Sequence, residues 1–274
     1  MPAEHGRGTA VVNAATGSSG ALPAGTAARL LADYDARQPQ GDFADRDPAL
    51  LSLDDAYRLQ AEVAALRVAR GERPVGHKVG CVGPAVQQQF GLTHPVRGVL
   101  WAGEWRTSAA PIAVGAYDRL AIEGEIALVL GSDPGDTLLN GAEGRIGWRP
   151  VIELHQYVFR HAPPTVQELV ASNCLHAGVV ALPLPWTTEG GALTDVEIRI
   201  EINGRVVDVS RCDAVPDGPL GSLRWLATDL RRGGGRLEAG DVILSGAPGP
   251  LLPVAAGDRV VVIAGGQRVE ASFV

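Results

Sequence analysis

The chain has 274 residues with 46% hydrophobic and 20% charged side chains, enough apolar material for a large core. Its net charge is −7 and its arginines are scattered, adjacent only at Arg231–Arg232, which excludes a nucleic-acid footprint; no run of about 18 apolar residues offers a membrane span. Cys81, Cys174 and Cys212 are odd in number and far apart, which excludes a disulfide framework or a CxxC zinc site and points to a reducing cytoplasm.

Residues 1–25 are rich in Gly, Ala, Ser and Thr and lack the basic start and apolar block of a secretory signal, so they read as a flexible leader. A first helix is expected from Ala27 to about Gln38, with Leu30, Leu31 and Tyr34 on one side. A second runs from Ser52 to Arg70: Ser52 and Asp55 form a capping box, Ala56, Leu59, Val63 and Leu66 make an apolar stripe, and Gly71 stops it. Residues 26–74 thus form a small helical part. From Val75 the chain turns to short β-like runs separated by Gly and Pro: VGHKVG, GVLWAG, RLAIEGEIALVLG, RPVIELHQYVF and AGVVALPL. DVEIRIEINGRVVDV alternates by two around Asn203-Gly204, a type I′ hairpin signal, and two strand-rich pieces close the chain. Two helices interrupt this body. Thr165 with Glu168 caps a short one ending near Asn173, and Leu220–Arg232 turns Leu223, Leu226, Ala227 and Leu230 inward before Gly233. No βαβ alternation is present, so the fold class is α+β, with residues 75–274 as a β-rich body.

The chemistry begins in AIEGEIALVLG. On a strand, Glu123 and Glu125 share one face, opposite Ile122, Gly124, Ile126, Leu128 and Leu130. The glutamate face continues into Ala127 and Val129, so it is at least partly buried too, and two carboxylates in a dry place need a cation or a partner. The hairpin holds a contrast: in VEIRIEI, Arg199 sits between Glu197 and Glu201, and a solvated salt-bridged face accounts for all three. Glu153 lies in the apolar run RPVIELHQ, and three oxygen donors suit Mg²⁺ or Mn²⁺. His155 is two residues further along the same face, whereas His155 and His161 lack the spacing of a helical zinc pair. There is no phosphate-binding GxxxxGK loop and no GxSxG elbow. The single lysine, Lys78, sits in GHKVG. Lysine is a compact charge whose pKa can fall on burial, so it can grip a carboxylate and move a proton where arginine cannot.

With these residues in place, the sequence resembles the 2-keto-4-pentenoate hydratase group of the fumarylacetoacetate hydrolase superfamily, which includes vinylpyruvate hydratases and 4-oxalocrotonate decarboxylases. The resemblance runs from about Ala27 to the C-terminus. It is carried by AYRLQ, GHKVG, AVQQQFGL, the Pro95, Gly98 and Leu100 pattern, IEGEIALVL, VIEL, GDVILSGAPGP and AGDRV. It implies mixed sheets rolled around a metal site, with Mg²⁺ or Mn²⁺ held by Glu123, Glu125 and Glu153. It also implies a 2-oxo acid or dienol substrate that reacts through an enolate held by the cation. Lys78 falls on the family's lysine and is expected to hold substrate and take part in proton transfer. Asn173, Gln156, Arg97 and the Ser245-Gly246 pair are the further substrate-binding candidates, and His155 is a catalytic candidate. The sequence also departs from the pattern. Pro95-Val96-Arg97-Gly98 replaces Pro-Asp-aromatic-Gly, Ser172-Asn173-Cys174-Leu175 replaces Asp-Asn-Ala-Ser, and Gln156-Tyr157-Val158 replaces Asp-Ser-Arg. Aspartate and serine side chains that handle water and protons are therefore missing, and His155, Gln156, Arg97 and His176 are candidates for their roles. The expected activity is a hydratase-like metal-dependent lyase. The alternatives are a decarboxylase or tautomerase of a 2-oxo acid, a C–C hydrolase of a β-dicarbonyl with His155 as base, and a non-catalytic partner subunit. A homo-oligomer is expected, and the resemblance also leaves room for a complex with a pathway enzyme.

Overall fold

The computed structural model describes residues 24–38, 51–132, 146–159, 164–183, 186 and 193–274; nearly all of the expected leader, residues 39–50 and His161 lie outside the described residues. Helix α1 (Thr26–Ala36) and helix α2 (Leu53–Ala69) form as the sequence predicts, and the Ser52/Asp55 capping box is made in both directions. The stripe on α2 needs one correction. Leu66 is 37% exposed, and Arg67 takes the inward position at 6%. A helix turns 100° per residue, so after Ala56, Leu59 and Val63 the next inward position is 67, and here it carries a paired arginine rather than an apolar side chain.

The body continues with β1 (Pro74–Gly80), α3 (Pro84–Phe90), β2 (Val96–Trp101), β3 (Trp105–Thr107), β4 (Pro111–Ile112), β5 (Ala121–Leu130) and β6 (Ile146–His155). Then come α4 (Val166–Ala171), β7 (His176–Ala181), β8 (Glu197–Ile202), β9 (Arg205–Arg211) and α5 (Gly218–Arg232). The chain ends with β10 (Val242–Leu244), β11 (Leu252–Pro253), β12 (Arg259–Ala264) and β13 (Gln267–Phe273). Helix α3 was not predicted: it is seven residues long, none of them buried, so it shows no periodicity, and only Pro84 at its start and Gly91 (φ 65°) at its end mark it.

Two sheets carry the body. The larger has the order β2-β1-β10-β5-β6-β7-β3, with β11 also paired to β5; the smaller is β4-β13-β12-β8-β9. One face of β5 and β6 (Ile122, Ile126, Leu128, Ile152, Leu154) packs on Ile198, Ile200, Val260 and Val262 of the smaller sheet to form the main core. The sheets approach closely at Gly124, where a Cβ would lie 2.9 Å from the Ile200 side chain. The β8–β9 hairpin turns at Asn203 (φ 53°) and Gly204 (φ 75°), both left-handed as a type I′ turn requires. A second core joins α1, α2 and α4 to β2, through Leu30, Ala56, Leu59, Val96, Val170 and Cys174. The helical N-terminal part is thereby seated on the strand that flanks Lys78.

Candidate active site

The outward face of the larger sheet gathers the titratable residues. Antiparallel register sets Glu123 of β5 directly opposite Glu153 of β6, and Ala121 opposite His155. Directly paired residues share a face, so both glutamates and His155 meet on the side away from the main core. A register shift between Leu154 and His155 lets His155 pair with His176 of β7. The rest of this face is apolar, with Ala127, Val151, Val179 and Leu244 as a dry floor.

Glu153 is 1% exposed and is the hub. Its Oε1 accepts from Lys78 Nζ at 2.9 Å and lies 2.7 Å from His176 Nδ1. Burial alone would raise its pKa, but Lys78, His155 and His176 more than offset this and hold it well below the usual carboxylate range. Glu125, 0% exposed, goes the other way: burial, and then the charge of Glu153, raise its pKa well above normal despite Lys78. Its Oε1 accepts from the Gly246 N–H, and its Oε2 is buried without a hydrogen-bond partner among the described residues. Glu123 is more open, with a side chain 22% exposed. Its Oε2 lies 3.0 Å from His155 Nε2, and Glu153 Oε2 lies 3.3 Å from the same atom. Burial lowers the His155 pKa, yet the charges of Glu153 and Glu123 raise it more, to about 9. Both ring nitrogens of His155 are buried and neither makes a hydrogen bond among the described residues. Ligand atoms of Glu123, Glu153 and His155 all lie within 4.8 Å of one another, as a cation site requires; Glu125 is not in that group and meets it through the charges of Glu153 and Glu123.

Lys78 also donates to the Cys174 carbonyl at 3.2 Å. That carbonyl belongs to an unusual turn in which Asn173, Cys174 and Leu175 all take left-handed backbone (φ 58°, 55° and 66°). The expectation that burial lowers the Lys78 pKa is overturned. Burial does act that way, but Glu153 and Glu123 outweigh it, and the ammonium is held above the ordinary lysine value. Lys78 is a fixed positive charge in this arrangement.

The other expected residues divide. Gly246 is at the site and supplies the N–H that holds Glu125; its φ is 93° and a Cβ there would lie 2.3 Å from Val82, so only glycine fits. Ser245 is next to it, but its hydroxyl donates to the Ile126 carbonyl at 2.9 Å and ties β10 to β5. Asn173 is likewise occupied, accepting from the Val99 N–H at 2.7 Å and donating to the Val99 carbonyl at 2.9 Å, which pins the left-handed turn to β2. Arg97 points away. It pairs with Val79 in the register while Lys78 pairs with Gly98, so it lies on the opposite face, where it meets Asp229 at 2.7 Å and covers the Tyr57 ring. Gln156 is buried past the end of β6, where its N–H donates to the Leu175 carbonyl at 3.0 Å.

One layer behind Glu153 the structure holds residues that sequence reasoning missed. Glu104 Oε2 lies 3.5 Å from His176 Nε2, and Glu104 Oε1 accepts from Arg67 at 2.5 Å and from the Tyr34 hydroxyl at 3.1 Å. Arg67 is also paired to Glu72 and lies over the Trp101 ring at 4.3 Å. A line of charges thus runs from α1 and α2 through Glu104 and His176 to Glu153. An arginine on the inward stripe of α2 was the one sequence signal for it, because a buried arginine needs an acid.

Residues 86–271 match the fumarylacetoacetate (FAA) hydrolase C-terminal family, and the chain belongs to the fumarylacetoacetate hydrolase family. It is 32% identical over 222 residues to the 2-keto-4-pentenoate hydratase of Paraburkholderia phymatum, covering 80% of this chain and 85% of that one. It is 33% identical over 228 residues to the TodF product hydratase of Pseudomonas putida, covering 81% and 84%. Among solved structures it superposes on 4-oxalocrotonate decarboxylase from Pseudomonas putida G7, complexed with magnesium and adipate, with a TM-score of 0.84 and 26% identity over 91% of this chain and 96% of that one.

Proposed function

We propose that the protein is a divalent-cation-dependent lyase acting on a 2-oxo acid or its dienol, in the manner of the 2-keto-4-pentenoate hydratases it is similar to. The observation that carries this reading is the register of β5 on β6, which brings Glu123, Glu125 and Glu153 to one dry place beside Lys78. The residues fit a cation: Glu125 Oε2 is buried and bare, a costly state for a carboxyl oxygen unless something positive meets it. Glu123, Glu125 and Glu153 would hold Mg²⁺ or Mn²⁺, which when bound supplies a Lewis acid facing negative charge that develops on the 2-oxo oxygen.

The chain's own groups do the rest. Lys78 stays an ammonium, fixed by Glu153 and the Cys174 carbonyl, and presents its remaining N–H to the substrate carboxylate. The Gly246 N–H orients Glu125, and the apolar floor excludes water from the acids. Val96 stands where the resembled pattern has an aspartate, and it is fully buried among Ala56, Leu59 and Cys174. No titratable group therefore stands at position 96, and Lys78 serves as a fixed charge for the substrate carboxylate. A homo-oligomer goes with this proposal, and light scattering of the purified chain tests it.

The experiment is to add Mg²⁺ or Mn²⁺ and a panel of 2-hydroxydienoates and to follow loss of the dienol absorbance. Turnover that needs the cation and is abolished by Glu125→Ala is expected; full activity in Glu125→Ala would sink the proposed site. Decarboxylation is the second reading, favoured by the end-to-end superposition on a decarboxylase. Release of CO₂ from a 2-oxo diacid, with no water added to the dienoates, selects it.

A further inference from the structure

We propose that His155 is itself a ligand of the cation through Nε2, which makes the centre a mixed carboxylate–imidazole site that selects Mn²⁺ over Mg²⁺. This rests on the metal-dependent reading above and adds to it a donor of a different kind.

The geometry points to it. His155 Nε2 lies 3.0 Å from Glu123 Oε2 and 3.3 Å from Glu153 Oε2, close enough for hydrogen bonds, yet the ring makes a hydrogen bond to neither. A histidine placed only to neutralise an acid aims its N–H at one oxygen. Here one ligand atom from each of Glu123, Glu153 and His155 lies within 4.8 Å of the other two. Donors about 2.1 Å from an octahedral cation stand about 3.0 Å apart when they are neighbours in its coordination shell, and Nε2 lies 3.0 and 3.3 Å from the two carboxylate oxygens. The remaining contacts agree. Glu153 gives Oε1 to Lys78 and His176, and these orient the carboxylate while Oε2 is left toward the shared point. Directly across the strand pair from His155 is Ala121, whose methyl offers no competing partner. The ring is 4% exposed, so water does not replace the missing bonds from outside.

The chemical consequence is selectivity. Magnesium prefers oxygen donors, whereas imidazole suits first-row transition ions, and their affinity for nitrogen-bearing sites rises along the series that begins at Mn²⁺. A cluster of three carboxylates does not discriminate in this way.

Mn²⁺ itself is the probe. The full-length protein is loaded with Mn²⁺ and examined by pulsed electron paramagnetic resonance for nitrogen coupling, in the wild type, His155→Gln and His176→Gln. Coupling from a directly bound imidazole is expected in the wild type, retained in His176→Gln and lost in His155→Gln. Calorimetric titration should show the Mn²⁺/Mg²⁺ affinity ratio falling about tenfold in His155→Gln. Mn²⁺ that binds the wild type without nitrogen coupling, or coupling that survives in His155→Gln, overturns the inference and leaves the carboxylate site standing. A wild type that binds no Mn²⁺ overturns both readings.

Discussion

Lys78 is 3% exposed, and its ammonium fits between Glu153 and a backbone carbonyl. A guanidinium keeps the charge but spreads it over a wide planar fork that this space does not admit. Lys78→Arg should therefore lower turnover about 100-fold while the protein remains folded, as steady-state rates and circular dichroism will show. Its neighbour His77 behaves differently. Burial first, and then the nearby Arg97 charge, lower its pKa to about 4 from an ordinary 6.5. Between those two values the unfolded chain binds a proton that the folded one refuses, so stability is full above pH 6.5 and falls as the pH drops toward 4. Because the ring is part-exposed, the loss is roughly 2 kcal/mol rather than the full shift. Denaturant titrations at several pH values should show the wild type losing that much more than His77→Val across this window. Residue by residue, the sequence was informative where a charge sat in an apolar run, as Glu123, Glu125, Glu153 and Lys78 do. It was uninformative for Arg97, Asn173 and Ser245, because nothing in a polar side chain's neighbours along the chain says whether it faces a site or a backbone.

At the scale of elements, the site depends on strands approaching where side chains would not fit. Gly76 of β1 has φ 147°, and a Cβ there would lie 1.8 Å from the Val242 carbonyl oxygen of β10. Those two residues are paired in the parallel β1–β10 ladder, two positions before Lys78 pairs with Leu244. Gly76→Ala must push the strands apart or twist β1, at a cost of about 3 kcal/mol, and it moves Lys78 as it does so. Reduced denaturation midpoints together with lost turnover are the expected result; a stable, fully active Gly76→Ala protein contradicts this account. Long, patterned elements were legible: the α2 capping box, the Asn203-Gly204 turn and the inward leucines of α5 all form as their local chemistry requires. Short elements such as α3, β3, β4 and β11 were not, because they owe their shape to what they pack or pair with.

For the whole molecule, the buried Glu125 oxygen without a partner among the described residues is a standing cost that a bound cation would remove. Saturating Mn²⁺ or Mg²⁺ at about 100 times its Kd should add about 2.7 kcal/mol of stability, and a chelator should reverse the rise in melting temperature. An unchanged Tm with either ion would contradict the centre as drawn. The charge line from Arg67 through Glu104 and His176 to Glu153 on β6 gives the N-terminal helices a share in this centre.

The sequence alone determined the α+β class, the helical N-terminal part, the three acids, the lysine and the family resemblance, since periodicity, capping and charge in apolar runs are local properties. Only the tertiary structure decided how those residues meet. It paired Glu123 with Glu153, gave Lys78 a raised rather than a lowered pKa, and turned Arg97, Asn173 and Ser245 to structural work. It also brought Glu104 and His176 behind the site from distant parts of the chain. Register, burial and the sum of neighbouring charges set these outcomes, and all three arise between strands rather than along them.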